Sequence, residues 1–144
     1  MALFSTKTHG VLDYTTVVTL LALPRVLGWS PTVRTFVTGA ALATLGASLL
    51  TRYELGVFKL IPMRGHLALD AISGATFAAA PFLFPDEPAS VTGTLAGLGV
   101  FELVAAFTTD TEPSLGEQAS QLGDQLSAAA RNVGDQIYDV ANNA

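Results

Sequence analysis

The chain has 144 residues, half of them hydrophobic and only 13% charged, with a mean hydropathy of +0.47; a soluble domain usually carries about a quarter charged residues. It has no cysteine and a formal net charge of −5, which excludes a disulfide framework or thiolate metal site and argues against nucleic acid as a partner. Residues 1–110 hold six Lys/Arg and seven Asp/Glu, whereas residues 111–144 hold one Arg and five acids, so an acidic tail follows a much more apolar body.

Residues 1–8 form a short polar-ended lead. A first helix is predicted from about Gly10 to Trp29, near the ~20 residues that cross ~30 Å of hydrocarbon. Asp13 and Arg25 lie near its ends, within reach of the interface, and Trp29 suits an interfacial anchor. Lys7 ahead of an apolar run could pass for a signal peptide. A second copy of the run deeper in the chain points instead to a retained span. A second helix is predicted from about Val33 to Tyr53, uncharged from Thr35 to Leu50 and rich in small residues (Gly39, Ala40, Ala43, Gly46, Ala47) that favour close helix packing in lipid. The link from Glu54 to Gly65 is too apolar for an ordinary loop. Phe58, Leu60 and Ile61 are expected to dip into the interface, with Lys59 and Arg64 at headgroup level. A third helix follows from His66 to about Phe84, then a rigid Pro85–Pro88 turn, then a fourth helix from about Ser90 to Thr108.

His9, Asp13 and Pro24 recur as His66, Asp70 and Pro81, each 57 residues on. Val37-Thr38-Gly39 matches Val91-Thr92-Gly93 at an offset of 54, which makes Ser48 the counterpart of Glu102. The body therefore reads as two copies of a helical hairpin, about 9–53 and 66–108. Two spans per copy give both copies one orientation, so a pseudo-two-fold axis along the membrane normal is expected. Lys7, Arg52, Lys59 and Arg64 on one face outnumber Arg25 and Arg34 on the other, placing both termini in the cytoplasm. In the tail, Leu115, Leu122 and Ala129, and likewise Ala119, Leu126, Val133 and Val140, recur every seven residues. That is the stripe of an amphipathic helix, weakened by Gly116, Gly123 and Gly134. It suits a helix lying on the membrane or on a neighbouring subunit, or a coiled coil.

The segments Thr8-His9-Gly10-Val11-Leu12-Asp13-Tyr14, Gly28-Trp29, Tyr53-Glu54-Leu55-Gly56, Leu60-Ile61-Pro62-Met63 and His66-Leu67-Ala68-Leu69-Asp70, with Pro24, Pro81 and Phe84, resemble the SPW-repeat family of small bacterial membrane proteins. The likeness covers about residues 5–108. The namesake tripeptide reads Leu23-Pro24-Arg25 and Ala80-Pro81-Phe82 here. The resemblance implies a four-helix integral membrane protein and supplies no activity.

The expected fold is thus all-α: an integral membrane four-helix bundle made from a duplicated transmembrane hairpin (1–110), followed by a C-terminal amphipathic helix (111–144). The expected location is the bacterial inner membrane, as a multi-pass protein with cytoplasmic termini. Ionisable groups inside spans cost ~2.5–3.5 kcal/mol at the centre on insertion scales, so His9, Asp13, His66, Asp70, Glu102 and Glu54 need a reason. Helix-end anchoring and capping is one. A divalent-metal or proton site is another, with His9, Asp13, His66 and Asp70 as four ligands of a tetrahedral zinc-type centre and Glu102 or Glu54 behind them. Bis-His haem is a third. No nucleophile is paired with a base and no phosphate loop is present, so an enzyme is not expected. The expected role is a structural or interaction module without a cofactor, with the bilayer, a second copy or another membrane protein as partner. The alternative is binding, transport or sensing of a cation or proton through the His/Asp/Glu cluster at the cytoplasmic face.

Overall fold

The computed structural model describes residues 3–111 and 115–142, and within 115–142 the side chains of 122–136 and 138. Met1 and Ala2 of the lead lie outside the described residues, and so do the side chains of Leu115, Ala119 and Val140. Among the described residues the fold is all-helical and has no strand beyond isolated bridges. Its helices are α1 (Thr6–Val26), α2 (Pro31–Leu50), α3 (Met63–Ala78), α4 (Ala80–Leu83), α5 (Ala89–Thr108) and α6 (Leu115–Asn142). The chain divides into two compact units, Met1–Thr111 and Glu112–Ala144.

Both repeats start their first helix earlier than the sequence suggests. Ser5 caps α1, its side chain accepting from the Thr8 backbone N–H at 3.2 Å, the usual reward for a hydroxyl at that position. Pro62, in extended conformation, stands in the equivalent place before α3. His9 and His66 are therefore the fourth residues of their helices and are held by regular backbone. α1 ends in a Schellman turn: Gly28 is left-handed, its N–H bonds Arg25 O, and the Trp29 N–H bonds Pro24 O at 2.9 Å. That turn folds Trp29 back into the core at 7% exposure, so it is no surface anchor. The third predicted helix is broken at Ala79 into α3 and α4. Pro81 offers no N–H to the Phe77 carbonyl one turn back and crowds it.

α1 packs on α2, and α3 packs on α5. Leu20, Trp29, Val33, Val37, Ala41, Phe77, Ala80, Val91 and Leu95 form one shared core. The repeats bury equivalent residues: Thr6, His9, Gly10, Val17 and Leu20 in α1 answer to Met63, His66, Leu67, Gly74 and Phe77 in α3, each 57 on. α2 and α5 align differently from the sequence match. Their ends give 89 − 31 = 58 and 108 − 50 = 58, and buried Val33, Val37, Ala41 and Ser48 answer to Val91, Leu95, Gly99 and Ala106. The counterpart of Glu102 is thus Thr44. An offset of 54 differs by four residues, about one helical turn, so it keeps the face while mistaking the level.

Close helix approach also sits elsewhere than expected. A Cβ on Gly39 or Gly46 would meet nothing within 4 Å, whereas one on Gly99 would lie 2.4 Å from Gly74 O and one on Gly74 2.8 Å from Gly99 O. The tight crossing is therefore α3 on α5.

Two backbone staples then cross between the repeats. Leu3 and Phe4 N–H bond Thr108 O and Phe4 bridges Thr109, while Leu60 and Ile61 N–H bond Leu50 O and Ile61 bridges Thr51. In the link, Phe58 and Leu60 are exposed at 62% and 64% and Ile61 is half-buried.

By length and composition α2 and α5 can each cross a membrane. α1, with Lys7, Asp13, Arg25 and five threonines, and α3, with 16 residues, do not meet that measure. In the second unit, α6 runs unbroken through Gly116, Gly123 and Gly134 and exposes Leu122, Leu126, Val133 and Tyr138.

Candidate metal centre

The first turns of α1 and α3 bring their histidines and aspartates to one point. Residues four apart share a helix face, so His9 stands over Asp13 and His66 over Asp70. His9 Nε2 lies 3.2 Å from Asp13 Oδ1 and 2.9 Å from Asp70 Oδ2. His66 Nε2 lies 3.0 Å from Asp13 Oδ2 and 3.3 Å from Asp70 Oδ2. The four groups form a closed ring in which imidazole and carboxylate alternate. One ligand atom from each falls within 4.8 Å of all the others. The imidazoles meet edge to face, with centroids 5.4 Å apart. The exposures are 2% for His9, 0% for His66 and 6% for Asp13.

The outer ring nitrogens are held by two residues that the sequence does not single out. His9 Nδ1 lies 2.8 Å from Thr109 Oγ1, and His66 Nδ1 lies 2.9 Å from Thr51 Oγ1. Thr109 and Thr51 are the C-caps of α5 and α2, placed by the two backbone staples. Their spacing, 109 − 51 = 58, is that of the helices they end, and this equivalence is the signal that would have found them. The arrangement is exchanged: each repeat supplies the threonine for the histidine of the other.

Asp13 is braced further. Its Oδ2 accepts from Ser48 Oγ at 3.2 Å and from the Tyr53 hydroxyl at 3.3 Å. Tyr53 also stacks on His66, and α1 admits it because a Cβ on Gly10 would fall 2.0 Å from the Tyr53 ring. Burial pushes the Tyr53 phenol pKa up and keeps it a donor. The side chain of Asp70 is 13% exposed and lines a groove of about 500 Å³ between α2 and α3, with Phe36, Gly39, Ala43 and Ser73.

Glu102 does not stand behind a histidine. Together with Thr44, His9, Asp13 and Asp70 it lines a cavity of about 20 Å³ beside the ring, and its Oε2 is buried without a hydrogen-bond partner. Glu54 accepts from Thr6 Oγ1 at 2.8 Å, in the first turn of α1.

Two imidazole nitrogens and two carboxylates are a donor set for a divalent ion. The same ring without an ion is a set of hydrogen-bonded ion pairs, two within α1 and α3 and two between them. Compared with family models, curated proteins and solved structures, the chain matches none.

Proposed function

We propose that residues 1–110 form a four-span membrane module whose two hairpin repeats hold a divalent cation between His9, Asp13, His66 and Asp70. The membrane reading is supported by what the apolar helices cover. Only 22% of the apolar window of α2 and 39% of that of α5 is buried in the protein, whereas the core helix of a soluble protein is mostly enclosed. Val18 on α1 and Ile72 on α3 are equally outward, at 65% and 66% exposure. With α1 and α3–α4 as the remaining spans, the repeats run parallel about an axis along the membrane normal. Lys7, Arg52, Lys59 and Arg64 mark the cytoplasmic face, as an inner-membrane protein resembling the SPW-repeat family would have it. The apolar stripe of α6 suits lipid headgroups or a neighbouring subunit.

The observation that carries the cation reading is the alternating ring itself, four ligand atoms within 4.8 Å on two different helices. Metal analysis of protein purified in detergent tests it. About one equivalent of a divalent metal per chain is expected, with loss of that metal in Asp70→Asn. Metal-free protein that also fails to take up any divalent ion in calorimetric titration would sink the reading.

A second reading has its own support. Each Nε2 already lies within reach of two carboxylates, so the ring serves as an ion-free clasp in a structural or interaction module. Under that reading the melting temperature is indifferent to divalent ions and chelators.

A further inference from the structure

We infer that the ring is built for a four-coordinate, late first-row transition ion of the zinc class, with Thr51 and Thr109 as the positioning residues that aim both histidines at it. This rests on the cation reading above and names the ion class.

The hydrogen-bond network fixes the proton on each Nδ1. Thr51 Oγ1 donates its single proton to Ala47 O at 2.7 Å, and Thr109 Oγ1 donates to Ala105 O at 2.6 Å. Each threonine oxygen is therefore left to accept, and what it accepts is the Nδ1–H of a histidine. With Nδ1 committed as donor, Nε2 is the nitrogen left to bind metal, releasing on metal binding the proton it shares with the carboxylates, and both Nε2 atoms face the ring carboxylates. A metal-bound histidine characteristically donates its other N–H in this way. Here the acceptors come from opposite repeats, so both imidazoles are fixed from outside.

Donor type and room select the ion. Imidazole suits Zn²⁺, Cu²⁺, Ni²⁺ and Fe²⁺, whereas Mg²⁺ and Ca²⁺ prefer all-oxygen sites. Bonds of about 2.0–2.2 Å place neighbouring ligands of a tetrahedron roughly 3.3–3.6 Å apart. The nitrogen–oxygen separations around the ring, taken to both oxygens of Asp13 and to Oδ2 of Asp70, are 2.9, 3.0, 3.2 and 3.3 Å, and one ligand atom from each residue lies within 4.8 Å of the others, so the side chains draw together across the ring and open slightly along its edges to take the ion. The adjoining cavity of about 20 Å³ has space for a single water. That is fewer than the several waters Mg²⁺ retains or the 6–8 oxygens Ca²⁺ requires, and the larger groove reaches the ring at Asp70 alone among the four ligands. Two carboxylates against one dication also leave a neutral centre, as a buried site demands.

The test uses the full-length protein in detergent, titrated with Co²⁺. Expected are one ion per chain, the intense visible absorption of tetrahedral Co²⁺, displacement by equimolar Zn²⁺, and none by a thousandfold excess of Mg²⁺ or Ca²⁺. Thr51→Val and Thr109→Val should each weaken Co²⁺ binding about 10–100-fold. Thr51→Ser and Thr109→Ser, which keep the oxygen, should restore it in protein of equal helicity. A weak octahedral spectrum or displacement by Mg²⁺ or Ca²⁺ would overturn the ion class, and valine variants that bind like the parent would overturn the role of Thr51 and Thr109, in either case leaving a cation site standing. No uptake of Co²⁺, Zn²⁺, Mg²⁺ or Ca²⁺ would overturn the cation reading and this inference with it.

Discussion

His9 Nδ1 lies 2.8 Å from Thr109 Oγ1 although 100 residues separate them, and His66 repeats the relationship with Thr51. Neither bond falls within one repeat, so each hairpin orients a side chain of the other. Replacing either threonine by valine keeps the shape and leaves a buried Nδ1–H without a partner, at a cost of about 1–3 kcal/mol. Thermal melts in detergent should show a lower midpoint for Thr51→Val and Thr109→Val and a near-parental one for the serine variants. Equal midpoints for valine and parent would mean that these bonds do not hold the repeats.

Asp13 and Asp70 are equivalent by sequence and unequal in their surroundings. Asp13 is reached by His9, His66, Ser48 and Tyr53, while the side chain of Asp70 is 13% exposed to the groove. Removing one partner of a buried ion pair costs about 3–5 kcal/mol. Asp13→Asn should therefore lower the midpoint of an SDS-unfolding titration markedly, and Asp70→Asn less. The reverse order would show that the bracing by Ser48 and Tyr53 contributes nothing.

Gly74 and Gly99 face each other backbone to backbone across α3 and α5. Overpacking of this kind costs typically about 1–3 kcal/mol, so Gly99→Ala should lower the melting temperature clearly. Gly39→Ala, where a Cβ meets open space, should leave it unchanged or slightly raised. A melt in which both variants behave alike would contradict the close crossing.

How much of this was legible in the chain differs from residue to residue. The offset of 57 tied His9 to His66 and Asp13 to Asp70, because a repeated polar pair in apolar surroundings stands out. The level of α5 against α2 did not show, since Val-Thr-Gly occurs one turn away from its true equivalent and the face is preserved. The offset of 54 accordingly pairs Glu102 with Ser48, whereas the fold pairs it with Thr44. Thr51 and Thr109 were silent, since a threonine at the end of an apolar helix looks like any cap. Only folding brings each one to the other repeat. Trp29 resembled an interfacial anchor because the turn that buries it depends on the left-handed Gly28.

The second unit, Glu112–Ala144, is compact by itself. Truncation after Thr111 should leave a helical, detergent-stable body with the parental melting temperature and oligomeric state. A truncated protein that aggregates or changes its oligomeric state would make α6 part of the assembly.

Membrane topology is open to a direct check. Asp86, in the turn before α5, should lie on the face opposite both termini. In spheroplasts, Asp86→Cys should react with an impermeant thiol reagent and Thr8→Cys should not. Labelling of Asp86→Cys from the cytoplasmic side alone would contradict the four-span arrangement.

The exchanged hydrogen bonds also bear on ancestry. One hairpin carries one histidine, one aspartate and one threonine, and its threonine bonds the histidine of the other hairpin. Two copies of such a hairpin, side by side, would complete every bond of the ring on their symmetry axis. The single chain thus keeps the plan of a symmetric dimer fused end to end. Departures from symmetry, such as Glu102 opposite Thr44 and Ser48 opposite Ala106, mark what the two halves became free to change once they were joined.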